Sequence, residues 1–356
     1  MGGSSTSVTE GAGGAALAVP VTAGRVLVYR RFMRERVAVA ALAVLVLIVI
    51  ACFVLEPVLE HVLGRTPDTP FLTATNQFTH KPVGPWTWVS NQPLDASPSA
   101  HPGKTLFLLG ADGPLGRDEL LRVLAGGRVS LEIALFATLV GISIGVLFGT
   151  IAGWYGGSVD ALVSRLTELV MAFPLLLLVI AIGQSVADRF DNITLHGTFE
   201  PGVLSLSVVI GFFSWFYPAR VCRVLVQELR EREFVEAARM IGQSDWRILR
   251  KHILPHLLGP ITVWAGLMAA SVIVLEAALS SLNFGIRLPT ASWGSLLSST
   301  FGNLFNFNPL SGGATSFYRL SNWPLVWPSV ALFLTVLCLA LVSDGLRSAL
   351  NPRSDT

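Results

Sequence analysis

Six stretches of this chain are long and apolar enough to cross a lipid bilayer, and nothing else in the sequence restricts the fold as strongly. A helix needs about 20 mainly apolar residues to span a hydrocarbon core of roughly 30 Å. Residues 36–55, 129–154, 166–186, 203–226, 261–282 and 325–342 meet that length. In lipid, each backbone N–H and C=O must be satisfied within its own segment, which leaves the helix as the form for such runs. Only 13% of the 356 residues are charged, about half the share usual in soluble domains. The expected fold is an all-α integral membrane protein with six transmembrane helices.

Small residues recur at helical spacing in the second span, with Gly141, Ser143, Gly145 and Gly149. Such residues let helix backbones approach closely where water expulsion cannot drive association. With an inside N-terminus, sixteen of the lysines and arginines fall in the inside segments and nine in the longer outside ones. The positive-inside bias then places both termini and the loop 228–255 in the cytoplasm. No small-residue cleavage site follows the first apolar run before Glu56-Pro57, so that run reads as an uncleaved helix. Cys52, Cys222 and Cys338 are scattered along apolar runs and read as packing residues rather than ligands.

The chain divides accordingly. Residues 1–35 form an N-terminal cytoplasmic tail, Gly-, Ala- and Ser-rich and disordered to about residue 24. Residues 36–55 are the first span. Residues 56–124 form an extracytoplasmic loop containing Trp86 and Trp88, suited either to a membrane interface or to a partner. Its last part, 116–124, reads as a short amphipathic helix on the outer surface. Residues 125–350 hold the other five spans and the loop 228–255. A second outside loop covers 283–323 with no strand pattern, and 351–356 is a cytoplasmic tail.

The cytoplasmic loop has internal order. Residues 227–240 are strong helix formers, with Glu228 and Arg232 spaced for an i,i+4 pair. Ala237-Ala238 offers a flat patch to a partner, and Gly242 ends the helix as a C′ glycine does. Ser244 or Asp245 caps a second short helix through Trp246, Leu249 and Lys251. Leu254-Pro255 and Pro260 close that helix and restart the chain into the fifth span. The expected product is a helix-turn-helix elbow on the cytoplasmic membrane surface.

Chemistry-bearing patterns are sparse. There is no G-x-x-x-x-G-K-[ST] loop and no H-E-x-x-H. His252 and His256 stand four apart with no acid beside them. Glu276 and Asp344 lie near span ends and suit an interface or an ion pair, Asp344 having Arg347 three residues on. Pro174 is expected to kink the third span. The aromatic run Phe212–Tyr217 suits a substrate path and helix packing equally.

The order Glu236-Ala237-Ala238, Gly242, Leu254-Pro255 resembles the EAA loop of ABC importer permeases. The wider segments 230–239 and His252-Ile-Leu-Pro255 resemble the C-type subunit of the dipeptide and oligopeptide subgroup. The segment Gly110-Ala-Asp112-Gly-Pro-Leu-Gly116-Arg117-Asp118 is similar to that family's approach to its second helix, with Ala111 for Thr and one extra residue. Ala172-Phe173-Pro174, Leu275-Glu276-Ala277, residues 289–294, and 344–353 also match. The loops 56–104 and 302–321 are longer than the resemblance implies.

The resemblance implies a type I ABC importer permease fold in a bacterial plasma membrane, with the elbow as a coupling helix. Its contact would comprise Glu236, Ala237, Ala238, Gly242, Ser244, Asp245, Leu254 and Pro255. Implied partners are a homologous permease chain, two ATPase subunits, an extracytoplasmic binding protein, peptide substrate and membrane lipid, with no nucleic acid. ATP and Mg would be bound by the ATPases, leaving this chain without a cofactor or catalytic site. Nickel, glutathione or another peptide-like solute is the alternative cargo. A secondary transporter is the alternative class.

Overall fold

The computed structural model describes residues 21–75, 82–90, 104–113, 115–190, 199–286, 289–305 and 323–350. Residues 1–20 of the expected tail 1–35, most of the loop 302–321 and the segment 351–356 lie outside them, and the described part of that tail is helical from Val21. The chain opens with α1 (Val21–Arg34) and α2 (Arg36–Ile50). A π turn over Ala51–Leu55 leads into α3 (Glu56–Leu63). Two antiparallel strand pairs follow, β1 (Thr87–Ser90) with β2 (Lys104–Phe107) and β3 (Ala111–Asp112) with β4 (Arg117–Asp118).

Next come α4 (Glu119–Tyr155), α5 (Gly157–Met171), α6 (Leu175–Phe190), α7 (Val203–Ser214) and α8 (Phe216–Arg230). The elbow holds α9 (Glu233–Met240) and α10 (Asp245–Ile248). A second π turn, Leu249–Ile253, joins α10 to α11 (Leu254–Ser281), and α12 (Trp293–Phe305) and α13 (Trp323–Leu350) complete the chain.

Four helical runs are long and apolar enough to cross a membrane, and six spans result if each bent pair counts as one. The third span is such a pair. Its halves α5 and α6 meet at 85°, a sharper break at Ala172-Phe173-Pro174 than the kink expected of Pro174 alone. Proline disfavours helix at the residue before it. The fourth span bends 43° between α7 and α8. There the aromatic run divides, with Trp215 and Phe216 buried and Phe212 and Tyr217 exposed.

At the centre, α4 lies against α7 and α8 along a glycine stripe. A Cβ on Gly145 would stand 2.7 Å from Trp215 O, and one on Gly153 would stand 2.7 Å from Arg223 O. At Gly149 the backbone of Ala219 is closer still. The backbones therefore touch where any side chain would separate them, as the small-residue spacing predicted. Ile133, Ala137, Ile210, Ile273 and Leu279 fill the core between α4, α7 and α11.

Away from the elbow, the segment 116–124 is not the expected surface helix: Arg117 and Asp118 form β4, Glu119 begins α4, and its charges are buried. Arg122 bridges Asp68 at 2.5 Å and Asp112 at 2.8 Å, and Arg65 meets Asp118 at 2.5 Å. Burial raises the Asp118 carboxyl above its usual range, and the adjacent Arg65 opposes that rise. The expected polar loop has folded over these residues as a small subdomain with Phe71, Ala74, Val89, Phe107 and Ala111 as its core. Sequence patterning missed it because its strands are two to four residues long. Gly116, at φ 64°, makes the turn into β4 and lets Phe71 O approach.

The loop after α11, in which no strand pattern was found, holds a helix, α12. Glu276 is neither ion-paired nor at an exposed interface. It is fully buried, and accepts hydrogen bonds from Ser280 at 2.8 Å, Ser292 at 2.7 Å and Ser130 at 3.3 Å. The N-terminal turn of α12 adds the backbone N–H of Gly294. Hydroxyls and a helix N-terminus replace the expected cation. Asp344 is exposed and makes no ion pair with Arg347.

Gly149→Leu forces α4 away from α8. The expected outcome is a loss of about 1–3 kcal/mol, the usual cost of overpacking, read as an earlier thermal transition in detergent. Leu147→Ala, at an exposed position on α4, is expected to leave the transition in place.

Candidate functional site

The site is the elbow, built from the end of α8, α9, α10 and the π turn. Helix does not run continuously over 227–240. It stops at Arg230, and Arg232 restarts it as the N-cap of α9, with its C=O accepting from Val235 N at 2.9 Å. The expected Glu228–Arg232 pair forms across that break at 2.6 Å on the surface. Glu233 and Glu236 occupy the first turn of α9 and Arg239 the last, each matching the sign of the helix dipole there.

Gly242 ends α9 as expected. Its φ of 76° is left-handed, Gly242 N donates to Arg239 O at 2.9 Å, and Gln243 N donates to Ala238 O at 3.1 Å. These are the two bonds of a Schellman cap. Ser244 takes the N-cap position of α10 with extended backbone, but its hydroxyl makes no capping bond. Asp245 follows in the first turn.

The expected proline-bounded restart does not occur. Helix runs without a break from Asp245 to Ser281, 37 residues. The π turn absorbs the donor that Pro255 lacks, and Pro260 sits inside α11. At 1.5 Å per residue, the part before the apolar stretch 261–282 is about 24 Å long. The elbow therefore joins the fifth span through continuous helix rather than across a proline break.

Inside the elbow, Val235 and Ala238 of α9 pack with Ile248, Leu249, Ile253, Leu257, Val226 and Trp154. Trp154, in the last turn of α4, holds two arginines. Its carbonyl accepts from Arg230 Nη1 at 3.0 Å, and the Arg239 guanidinium lies 5.0 Å from its ring. Asp160 of α5 bonds Arg223 of α8, with Nη2 to Oδ2 at 2.7 Å. On the other side Phe234 stacks on His256 with centroids 5.6 Å apart, and His256 Nδ1 lies 2.6 Å from His252 O. Among the described residues no group of three or more His, Cys, Asp or Glu could hold a metal ion.

The structure separates the two alanines expected to form one patch. Ala237 is exposed and Ala238 is buried in the elbow core. Glu236, Gly242, Ser244, Asp245 and Pro255 are exposed on the elbow, while Leu254 is half-buried. The missed residues are Met240, Ile241 and Trp246, which are 83%, 74% and 69% exposed. Their signal was readable. Three large apolar residues flank a helix-ending glycine in a charged loop, and only one helix face can turn inward.

Comparison with known proteins was consistent across the chain. Residues 145–356 match the family described as binding-protein-dependent transport system inner membrane component. The chain is 35% identical over 325 residues to the oligopeptide transport system permease protein OppC of Escherichia coli K12, covering 91% of this chain and 89% of that protein. It is 31% identical over 344 residues to the dipeptide transport system permease protein DppC of Lactococcus lactis, covering 92% and 90%. It is 33% identical over 326 residues to the glutathione transport system permease protein GsiD of Pectobacterium atrosepticum, covering 91% and 90%.

Gly242→Val places a branched side chain at positive φ in otherwise open space, so the cost is backbone strain of about 1–2 kcal/mol. Hydrogen exchange at the amides of Gly242 and Gln243 is expected to speed up about five- to thirtyfold, following that cost. Gly242→Asn is expected to change it far less, because asparagine tolerates the left-handed region.

Proposed function

The chain belongs to the family of binding-protein-dependent transport system inner membrane components, and from that premise we propose that its elbow is the docking lever of an ATP-driven peptide importer. The chain is a membrane permease subunit of an ABC importer. Relatives named for oligopeptide and dipeptide transport support short peptides as its cargo. A glutathione permease among them keeps the class at peptides and peptide-like compounds.

The observation that carries the reading is the exposed apolar trio Met240, Ile241 and Trp246 on a stiff mount. Solvent-exposed clusters of large apolar residues mark protein interfaces. Buried against a partner, each side chain contributes about 1.5–3 kcal/mol or more. The reading places this end in the cytoplasm, in line with the arginine-rich loop. The receiving partner is one of the complex's two ATPase subunits, which would bind ATP and Mg and carry out hydrolysis. Glu236, Ala237, Gly242, Ser244 and Asp245 would rim the contact. Pro255 would join that rim, and Ala238 and Leu254 would hold its shape from behind. A second permease chain would complete the pathway, and an extracytoplasmic binding protein would deliver the cargo to the far end.

No step of the chemistry falls to this chain. Its task would be to convert a displacement of the elbow into a rearrangement of the spans. The elbow reaches α4 through Trp154 and α11 through continuous helix, so a push on α9 moves both.

Reconstitution of the complete transporter in liposomes tests the reading. Trp246→Ala and Met240→Asp are expected to reduce peptide-stimulated ATP hydrolysis and uptake tenfold or more, while the permease remains inserted and folded. Val224→Ala, on an exposed face of α8 away from the trio, serves as the control. Normal coupling in both elbow variants, or uptake without the ATPases, would overturn it.

A further inference from the structure

The strand pair at the end opposite the elbow carries a face that transport coupling does not use. In β1 and β2, Trp88 stands opposite Leu106, and Ser90 opposite Lys104. The alternate residues Val89 and Phe107 fill the subdomain core, because successive strand residues point to opposite sides. One face therefore presents Trp88, Leu106 and Lys104 outward, with Trp86 beside it. Trp86 and Trp88 are 73% and 64% exposed. Trp86 is held at φ 58°, a region bulky residues seldom enter.

Two anchors set the height of this face relative to the bilayer. Arg65, just beyond α3, donates to Thr105 Oγ1 at 3.0 Å and Leu106 O at 3.4 Å. Gly84 lies against the indole of Trp323 at the start of α13, where a Cβ would stand 3.6 Å from Nε1. The runs Arg36–Leu63 and Trp323–Leu350 each have 28 residues, a rise of about 42 Å. That length matches a bilayer with its headgroup layers, about 40–45 Å, rather than its hydrocarbon core alone.

The ends that carry Arg65 and Trp323 thus reach headgroup depth, and the strand pair is tied to both. On the way up, α3 exposes Val58 and Val62, so apolar surface continues to that level. Indoles are enriched at this depth, where the ring is dehydrated and its N–H stays wet. A lysine beside them keeps its ammonium at the phosphates while its stem lies on apolar surface.

We propose that this face of the β1/β2 pair is a membrane-surface anchor. Trp86 and Trp88 seat in the lipid headgroup layer, with Lys104 toward the phosphates, and fix the subdomain at the mouth of α4. The occupant is the bilayer itself and not a second protein.

Depth measurement on the full chain in nanodiscs of phosphatidylethanolamine and phosphatidylglycerol tests this. Trp88→Cys carries a nitroxide, and the native Cys52, Cys222 and Cys338 are buried and free, which confines labelling to the new site. The expected label collides severalfold more often with lipid-dissolved oxygen than with a water-soluble nickel chelate. Chelate access exceeding oxygen access overturns the proposal. So does a label open to chelate in the bare nanodisc and shielded only when an extracytoplasmic binding protein is added, since that assigns the face to protein docking. Trp86→Cys repeats the measurement independently. In unlabelled protein, brominated lipids are expected to quench wild-type fluorescence more than that of the Trp86→Phe, Trp88→Phe double variant. Equal quenching counts against the anchor.

Discussion

The contact between α4 and α8 is the constraint on which the rest of the molecule hangs. Lipid gives helices no hydrophobic reason to associate, so the contact depends on backbone-to-backbone packing. Gly145, Gly149 and Gly153 allow it at every turn, over Trp215, Ala219 and Arg223. Because α4 is 37 residues long, the same helix serves both ends of the molecule. Glu119 and Arg122 begin it within the buried charges beneath the small subdomain. Trp154 ends it inside the elbow core.

That geometry makes the elbow a lever. A displacement passes through a joint only if the joint is stiffer than what it moves. The Schellman cap at Gly242 fixes the angle between α9 and α10 with two backbone hydrogen bonds. The limb beyond it is continuous helix to Ser281. The π turn at Leu249–Ile253 lets Pro255 enter that helix without breaking it. At the far end of the same helix, Glu276 is bound by hydroxyls from α4, from α11 and from the residue before α12. Movement of α11 is thereby tied to α4 and to the start of α12. A buried carboxylate with donors from three segments resists separation, since each lost bond leaves a desolvated polar group behind.

The sequence was most legible where one element sufficed to define a feature. Apolar length placed four spans as single helices and two more as bent pairs, glycine spacing placed the face of α4, and Gly242 placed the end of α9. It was less legible where distant segments supply the partners. Arg122 looked like the polar face of a surface helix because Asp68, which buries it, lies 54 residues earlier. Glu276 looked like an interface residue or half of an ion pair because Ser130 is 146 residues away and the start of α12 has no strong signature. Pro255 looked like a breaker because propensity does not foresee a π turn. In the elbow, the rule that charged loops expose their charges drew attention from Met240, Ile241 and Trp246 to the alanines.

The division of labour within α9 follows from its length. Eight residues make little more than two turns, so the helix cannot support itself by propensity and must be held by packing. Val235 and Ala238 provide that hold, four residues or fewer apart on the inward face. Met240 and Ile241 fall past them, where the turn carries the chain outward toward Gly242. A larger apolar face turned inward would have anchored α9 more firmly but left nothing for a partner to grip. A fully outward face would have left the helix unsupported. The split between Ala237 and Ala238 marks where one demand gives way to the other, and α9 meets both only because Trp154 and its two arginines reinforce the inward side.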